Sequence, residues 1–224
     1  MSLARSTTTI LAKELRTEFR SRELLGTTVV FVLIVIVLFS FTFNPTSSES
    51  RRFGPGLLWL AFLFAGSLML QPSFLREQTN DTLAALRLAP IDPFSILAGK
   101  MAANFLFLLL VELILLPVFA VLYNIAILPV LAPLVLILAL GTIGLATTGT
   151  VFSAVAAQAR LRELLLPLLL LPVLAPVLIA STEATAGILR DPSELSLVWL
   201  TFLTSFDVVF LTAAWLFGEY LLEE

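Results

Sequence analysis

The 224-residue chain contains no cysteine and no histidine. Disulfides, thiolate and imidazole metal sites, and every nucleophile that depends on a Ser/His or Cys/His pair are therefore excluded within it. It also lacks a phosphate-cradling loop: Lys100 follows Gly99, but no glycine stands five residues before Gly99, and Met101 follows the lysine. Charge is scarce too. Asp, Glu, Lys and Arg make up 13% of the residues against 59% hydrophobic, and a mean hydropathy of +1.04 puts the chain among membrane proteins. The formal net charge of −3 carries little weight, because in a membrane protein the placement of Lys and Arg matters more than the sum.

What the chain has in abundance is apolar sequence. Six runs are long enough, near 20 residues each, to cross a hydrocarbon layer about 30 Å thick. They read as Leu25 to Phe43, Leu57 to Leu70, Ala98 to Tyr123, Leu131 to Ala157, Leu164 to Ser181 and Leu195 to Leu222, the short second run extending toward Pro72 to Arg76. More than twenty residues precede the first run and mix acids with bases, unlike the short basic start of a signal peptide, so this segment is expected to be retained. Within it Leu11, Leu15 and Phe19 recur every four residues, which predicts an apolar helix face and an interfacial helix over residues 1–24.

Orientation follows from the bases. Arg5, Lys13, Arg16, Arg20, Arg22, Arg76, Arg87, Lys100, Arg160 and Arg162 fall on one side, and only Arg51, Arg52 and Arg190 on the other, which predicts that both termini are cytoplasmic. Trp59, Tyr123, Trp199 and Tyr220 lie near run ends, as an aromatic belt requires. In the fourth run Gly149, Ser153 and Ala157 at four-residue spacing, with Gly141 and Gly144 upstream, let another helix approach closely. Pro167, Pro172 and Pro176 predict a fifth span that is kinked or locally unwound.

Two features break the apolar pattern. Glu112 and Asp207 sit near the middle of the third and sixth runs, where a carboxylate costs about 2.5–3.5 kcal/mol on an insertion scale. The leucines one turn from Glu112 offer no hydrogen bond, which predicts a neutral acid bonded to another helix; Asp207 has Thr204 one turn back. Two readings stand: acids that fix helix packing, or acids that line a watery pathway. The second feature is the polar stretch FLREQTNDTLAALRLAPIDPFSILAGK, Phe74 to Lys100. Asn80 or Asp81 can cap a short helix over Thr82 to Leu88, with Leu83 and Leu86 on one face and Pro90 as its stop. Asp92 then Pro93 is a second helix start, cap followed by first-turn proline. On pattern alone the stretch is either a plain connector or a rigid element on which a soluble motor pushes.

FLREQTNDTLAALRLAP followed by GK resembles the cytoplasmic loop of ABC exporter permeases. GPGLLWLAFLFAGSL, NFLFLLLVELILLPVFAVLYN and LGTIGLATTGTVFSAVAAQARLRELLLPLLLLPVLAPVLIA, in that order, resemble the cytochrome c maturation permease family called haem exporter protein B, over nearly the whole chain. The resemblance implies an all-α polytopic membrane protein: a single transmembrane permease domain over residues 1–224, with six transmembrane helices, the N-terminal interfacial helix and a helical cytoplasmic coupling loop at 74–97. It implies the bacterial inner (cytoplasmic) membrane. The partners expected from it are an ATP-binding cassette subunit, other cytochrome c maturation membrane subunits and, as a candidate, a second copy of the chain. The lipid bilayer surrounds it and nucleic acid has no part. Carried over by position, Arg76, Glu77, Thr82, Leu83 and Pro90, with Leu86 on the same short helix, form the ATPase-coupling element; the family often has Gly where this chain has Asp81.

On this reading the chain is a non-catalytic subunit that binds no cofactor, with ATP on the partner and haem iron held by a partner. Met69, Met101, Tyr123 and Tyr220 are the only, and poor, candidate iron ligands. The function expected is haem export or ATP-driven release of a haem-loaded chaperone. The alternatives are an ABC exporter permease for another substrate, such as a lipid or polysaccharide, and a secondary transporter using Glu112 and Asp207.

Overall fold

A computed structural model describes residues 3–42, 47–71, 73–74, 92–157, 162–190 and 194–223, and all regular structure among them is helical. The helices are α1 (Leu3–Ser21), α2 (Glu23–Thr42), α3 (Ser47–Leu70), α4 (Pro93–Leu122), α5 (Leu131–Ala157), α6 (Arg162–Leu189) and α7 (Leu197–Glu223), with a 3-10 turn at Leu128–Val130. Six segments are long and apolar enough to cross a membrane: Glu23–Thr42, Arg52–Leu70, Pro93–Leu122, Leu128–Ala157, Leu169–Leu189 and Leu197–Gly218. The chain is thus a multi-pass, all-helical membrane protein.

Local chemistry accounts for several helix ends. Asp92 caps α4, its Oδ1 accepting from the Phe94 amide at 2.8 Å, and Pro93 opens the first turn as the sequence predicts. At the other end of α4, Asn124 adopts φ 51° while the Ile125 amide donates to Ala120 O and the Asn124 amide to Val121 O. This is a Schellman closure, with asparagine where a left-handed residue is required. Arg22 at φ 55° makes the corner between α1 and α2, and Glu18, buried there, accepts from the Leu25 amide at 2.9 Å.

Helix α5 lies at the centre, packed against α3, α4, α6 and α7, while α4 also contacts α1 and α2. In lipid, close packing and interhelical hydrogen bonds hold helices together, because leaving the tails gains a leucine little. The composition of α5 fits that rule: Gly141, Thr142, Gly144, Ala146, Thr147, Thr148, Gly149, Thr150, Ser153 and Ala154 are all buried. Trp59 of α3 lies across Gly141, and Leu70 against Gly149, so that a β-carbon at either glycine would collide with its neighbour.

Three sequence expectations change. The second span extends at its N-terminal end, where Gly54 and Pro55 are buried inside α3 and Gly54 packs against Phe119 and Ile125, while the expected extension into Pro72 to Arg76 lies in part outside the described residues, with Ser73 and Phe74 helical. The fifth span stays helical through Pro167, Pro172 and Pro176 with no unwound turn, and continues past Ser181 to Leu189. At its polar end Trp59 Nε1 donates to Thr185 Oγ1 at 2.9 Å, and Thr185 Oγ1 donates to Ser181 O at 2.7 Å. Trp59 and Tyr123 are consequently core residues, 0% and 3% exposed, instead of belt residues; the Tyr123 hydroxyl donates to Ile36 O.

Candidate functional site

Helix α1 packs on α4 through Ile10 and Glu14, with the predicted Leu11, Leu15 and Phe19 stripe beside them. Ser6, Ile10 and Glu18 are buried and Glu14 is half-buried, whereas Leu11 and Leu15 form the flank and Phe19 is exposed apart from an edge contact with Phe107. Gly99 permits the approach: a β-carbon there would sit 2.7 Å from Ile10 Cγ2 and 3.0 Å from Thr7 O. One residue on, Lys100 is 1% exposed. Its Nζ donates to Glu14 Oε1 at 2.8 Å and to Ser73 O at 2.6 Å, and lies 4.8 Å from the centroid of the Phe74 ring. Asn104, one turn further along α4, donates to Ser73 Oγ at 3.2 Å and to Thr150 Oγ1 of α5 at 2.8 Å. Burial raises the Glu14 pKa, and the Lys100 and Lys13 ammonium groups lower it by more, so the carboxyl stays below its ordinary range.

Deeper in the bundle, both predicted intramembrane acids are buried, Glu112 at 2% and Asp207 at 5% exposure. Glu112 finds its partner on another helix: Thr142 Oγ1 of α5 donates to Glu112 Oε1 at 2.6 Å. Asp207 does not use Thr204, whose hydroxyl is exposed and donates to Leu200 O. It turns instead to α5, where its Oδ1 would stand 3.0 Å from a β-carbon at Gly144, beside Val177. Thr142 and Gly144 are two residues apart, roughly 3 Å along the axis and a little more than half a turn around it. The contact points of the two carboxyls on α5 therefore lie on roughly opposite sides of it, about 3 Å apart along its axis. Glu112 Oε2 and both Asp207 oxygens make no hydrogen bond among the described residues.

The predicted coupling residues Arg76, Glu77, Thr82, Leu83, Leu86 and Pro90 lie outside the described residues. Among the weak iron-ligand candidates, Met69 and Met101 are packed in the core, Tyr123 is bonded to Ile36, and Tyr220 is 70% exposed. Sequence reasoning missed the Lys100 site altogether. It treated Lys100 as an orientation charge, and the only available signal was a lysine opening an otherwise apolar helix with a glycine before it.

Residues 5–217 match the family described as CcmB protein. Curated relatives agree. The heme exporter protein B of Pseudomonas aeruginosa is 34% identical over 199 residues, covering 88% of each chain. That of Rhodobacter capsulatus is 32% identical over 174 residues, covering 78% of this chain and 79% of its own, and that of Paracoccus denitrificans is 32% identical over 175 residues, covering 78% and 80%. With six apolar spans, the small-residue α5 central among them, and a family match over residues 5–217, the chain belongs to the CcmB protein family.

Proposed function

We propose that this chain is the membrane subunit of an ATP-driven haem-export complex serving cytochrome c maturation, in a bacterial inner membrane with both termini cytoplasmic. The observation that carries the reading is the match of 88% of the chain to a protein named heme exporter protein B. Its sequence has no phosphate-binding loop, so ATP is hydrolysed on a separate ATP-binding cassette subunit. The stretch carrying Arg76, Glu77, Thr82, Leu83, Leu86 and Pro90 receives that subunit. The absence of histidine and cysteine leaves haem iron to be held by another member of the complex, together with other cytochrome c maturation membrane subunits. Helix α1, polar on its outer face, lies at the cytoplasmic interface.

Affinity purification of the chain from its native membrane, with a parallel deletion strain assayed for c-type cytochromes, tests this. Recovery of an ATP-binding cassette subunit and loss of cytochrome c on deletion are expected. Unchanged cytochrome c would overturn the reading.

A second reading, a secondary transporter using Glu112 and Asp207, is favoured by their contacts on roughly opposite sides of α5. It requires transport by the chain alone in vesicles without an ATP-binding subunit, and abolition of that transport by Glu112→Gln.

A further inference from the structure

The stretch between Phe74 and Asp92 is flanked by Ser73–Phe74, just past the end of α3, and by the first turns of α4. These ends are cross-tied. Lys100 and Asn104, four apart and therefore on one face of α4, hold Ser73 by its carbonyl and its hydroxyl respectively. The same lysine reaches Glu14 of α1, and the same asparagine reaches Thr150 of α5. Apolar packing closes around the tie: Ile10, Phe74, Ile96, Leu97, Met101 and Ala154 form one buried cluster distinct from the main core.

A lysine that is 1% exposed is expensive to bury unless it is paired and hydrogen-bonded. Here the ammonium has a carboxylate, a carbonyl and an aromatic face arranged about it. Two segments supply them, α1 through Glu14 and the 73–74 turn through Ser73 and Phe74, so displacing either from α4 takes partners from a buried charge, which is a strong restraint on relative movement. The glycine before it brings α1 within reach, since any side chain at position 99 would drive Ile10 and Thr7 away.

We propose that Lys100 is a positioning residue: it staples Ser73 and Phe74, which precede the 75–91 stretch, to α4, which follows it, and to α1, so that a push on the stretch moves α1 and α4 as one body. The proposal deepens the coupling reading above and rests on it for the source of the push. The staple itself, however, is a property of the described residues and can be measured separately.

The absence of native cysteine makes the measurement direct. Ala12→Cys on the exposed side of α1 and Leu106→Cys on the exposed side of α4 take spin labels, and the distance between them is read by pulsed electron resonance in nanodiscs. The Lys100→Met variant is expected to broaden or shift a distribution that is narrow in the parent. In the complex it should leave ATP hydrolysis near its parental rate while cytochrome c maturation falls roughly two- to thirtyfold, the range that coupling-network substitutions span. Lys100→Arg, which keeps the charge and the donors, should restore most of both readouts; simple loss of folding would instead lower hydrolysis and maturation together.

If Lys100→Met fails to insert, Glu14→Ala removes one arm of the tie from outside the apolar spans, and the same two readouts are expected to change in the same direction. An unchanged α1–α4 distance distribution in the inserted variant overturns the proposal. So does a broadened distribution with full maturation, because the tie would then be structural only. Broadening in a chain that recruits no ATP-binding subunit even in its parental form overturns the coupling reading instead, and with it the proposed role, while leaving the tie itself demonstrated.

Discussion

Glu112 takes one hydrogen bond, from Thr142 Oγ1 at 2.6 Å, and buries its other oxygen without a donor among the described residues. Glutamine at 112 keeps an oxygen for that hydroxyl and carries no charge, so Glu112→Gln is expected to unfold in a detergent titration at the parental midpoint. Thr142→Val removes the donor and should cost about 0.6 kcal/mol, the average for hydrogen bonds between membrane helices, and at most about 1.7 kcal/mol. A Glu112→Gln chain that assembles normally but no longer supports cytochrome c maturation would favour a watery pathway over packing. Glu14 makes a pH prediction. Its carboxyl lies below its ordinary value, burial being outweighed by Lys100 and Lys13. A group lowered in the folded state contributes stability above its unfolded value and loses it as pH falls through the folded one. Docking of α1 on α4, followed by the same spin-label pair, should therefore be complete at neutral pH and loosen only in acid below the ordinary carboxylate range. Glu14→Gln should flatten that dependence.

Helix α5 shows which packing features can be read from sequence and which cannot. Its small-residue face was legible, because Gly141, Gly144, Gly149 and Ser153 recur at helical spacing. Their partners were not legible, since nothing in the sequence says that Trp59 lies on Gly141 or Leu70 on Gly149. The cost of filling each glycine differs accordingly. At Gly141 a β-carbon meets the rigid indole and Ser181 Oγ, so Gly141→Ala should cost about 1–3 kcal/mol in the same titration. At Gly149 it meets the branched end of Leu70, which can turn aside, and Gly149→Ala should cost less. The span limits tell a related story. The apolar runs start the second span at Leu57, past Gly54 and Pro55, and end the fifth at Ser181, short of Gly187. In the fold those glycine and hydroxyl positions are where helices touch, so polarity and flexibility counted along one strand of sequence misplaced both limits. The burial of Ser6, Ile10 and Glu18 beside the Leu11, Leu15 and Phe19 stripe was not legible either, because it depends on Gly99 admitting Ile10 and on Lys100 pairing with Glu14, neither of which a periodicity rule sees.

Large apolar side chains are exposed on every span, among them Val30, Ile34, Leu113, Val135, Ile179 and Val208, with Phe64 on α3, as lipid contact permits. The asymmetry of ten bases against three assigns the proposed orientation, and reporter fusions after Ser48 and at Glu224 are expected to report opposite compartments, with Glu224 in the cytoplasm. The central claim is that the 74–97 stretch joins this membrane domain to an ATP-binding subunit. Burying one leucine of the Leu83 and Leu86 pair against a partner is worth roughly 1.5–3 kcal/mol, so losing it lowers affinity about tenfold or more. The most direct measurement is co-purification of the ATP-binding subunit with a Leu83→Asp, Leu86→Asp chain. The account predicts a chain that is inserted and folded but recovers little or none of that subunit and supports no cytochrome c maturation; parental recovery with intact maturation would contradict it.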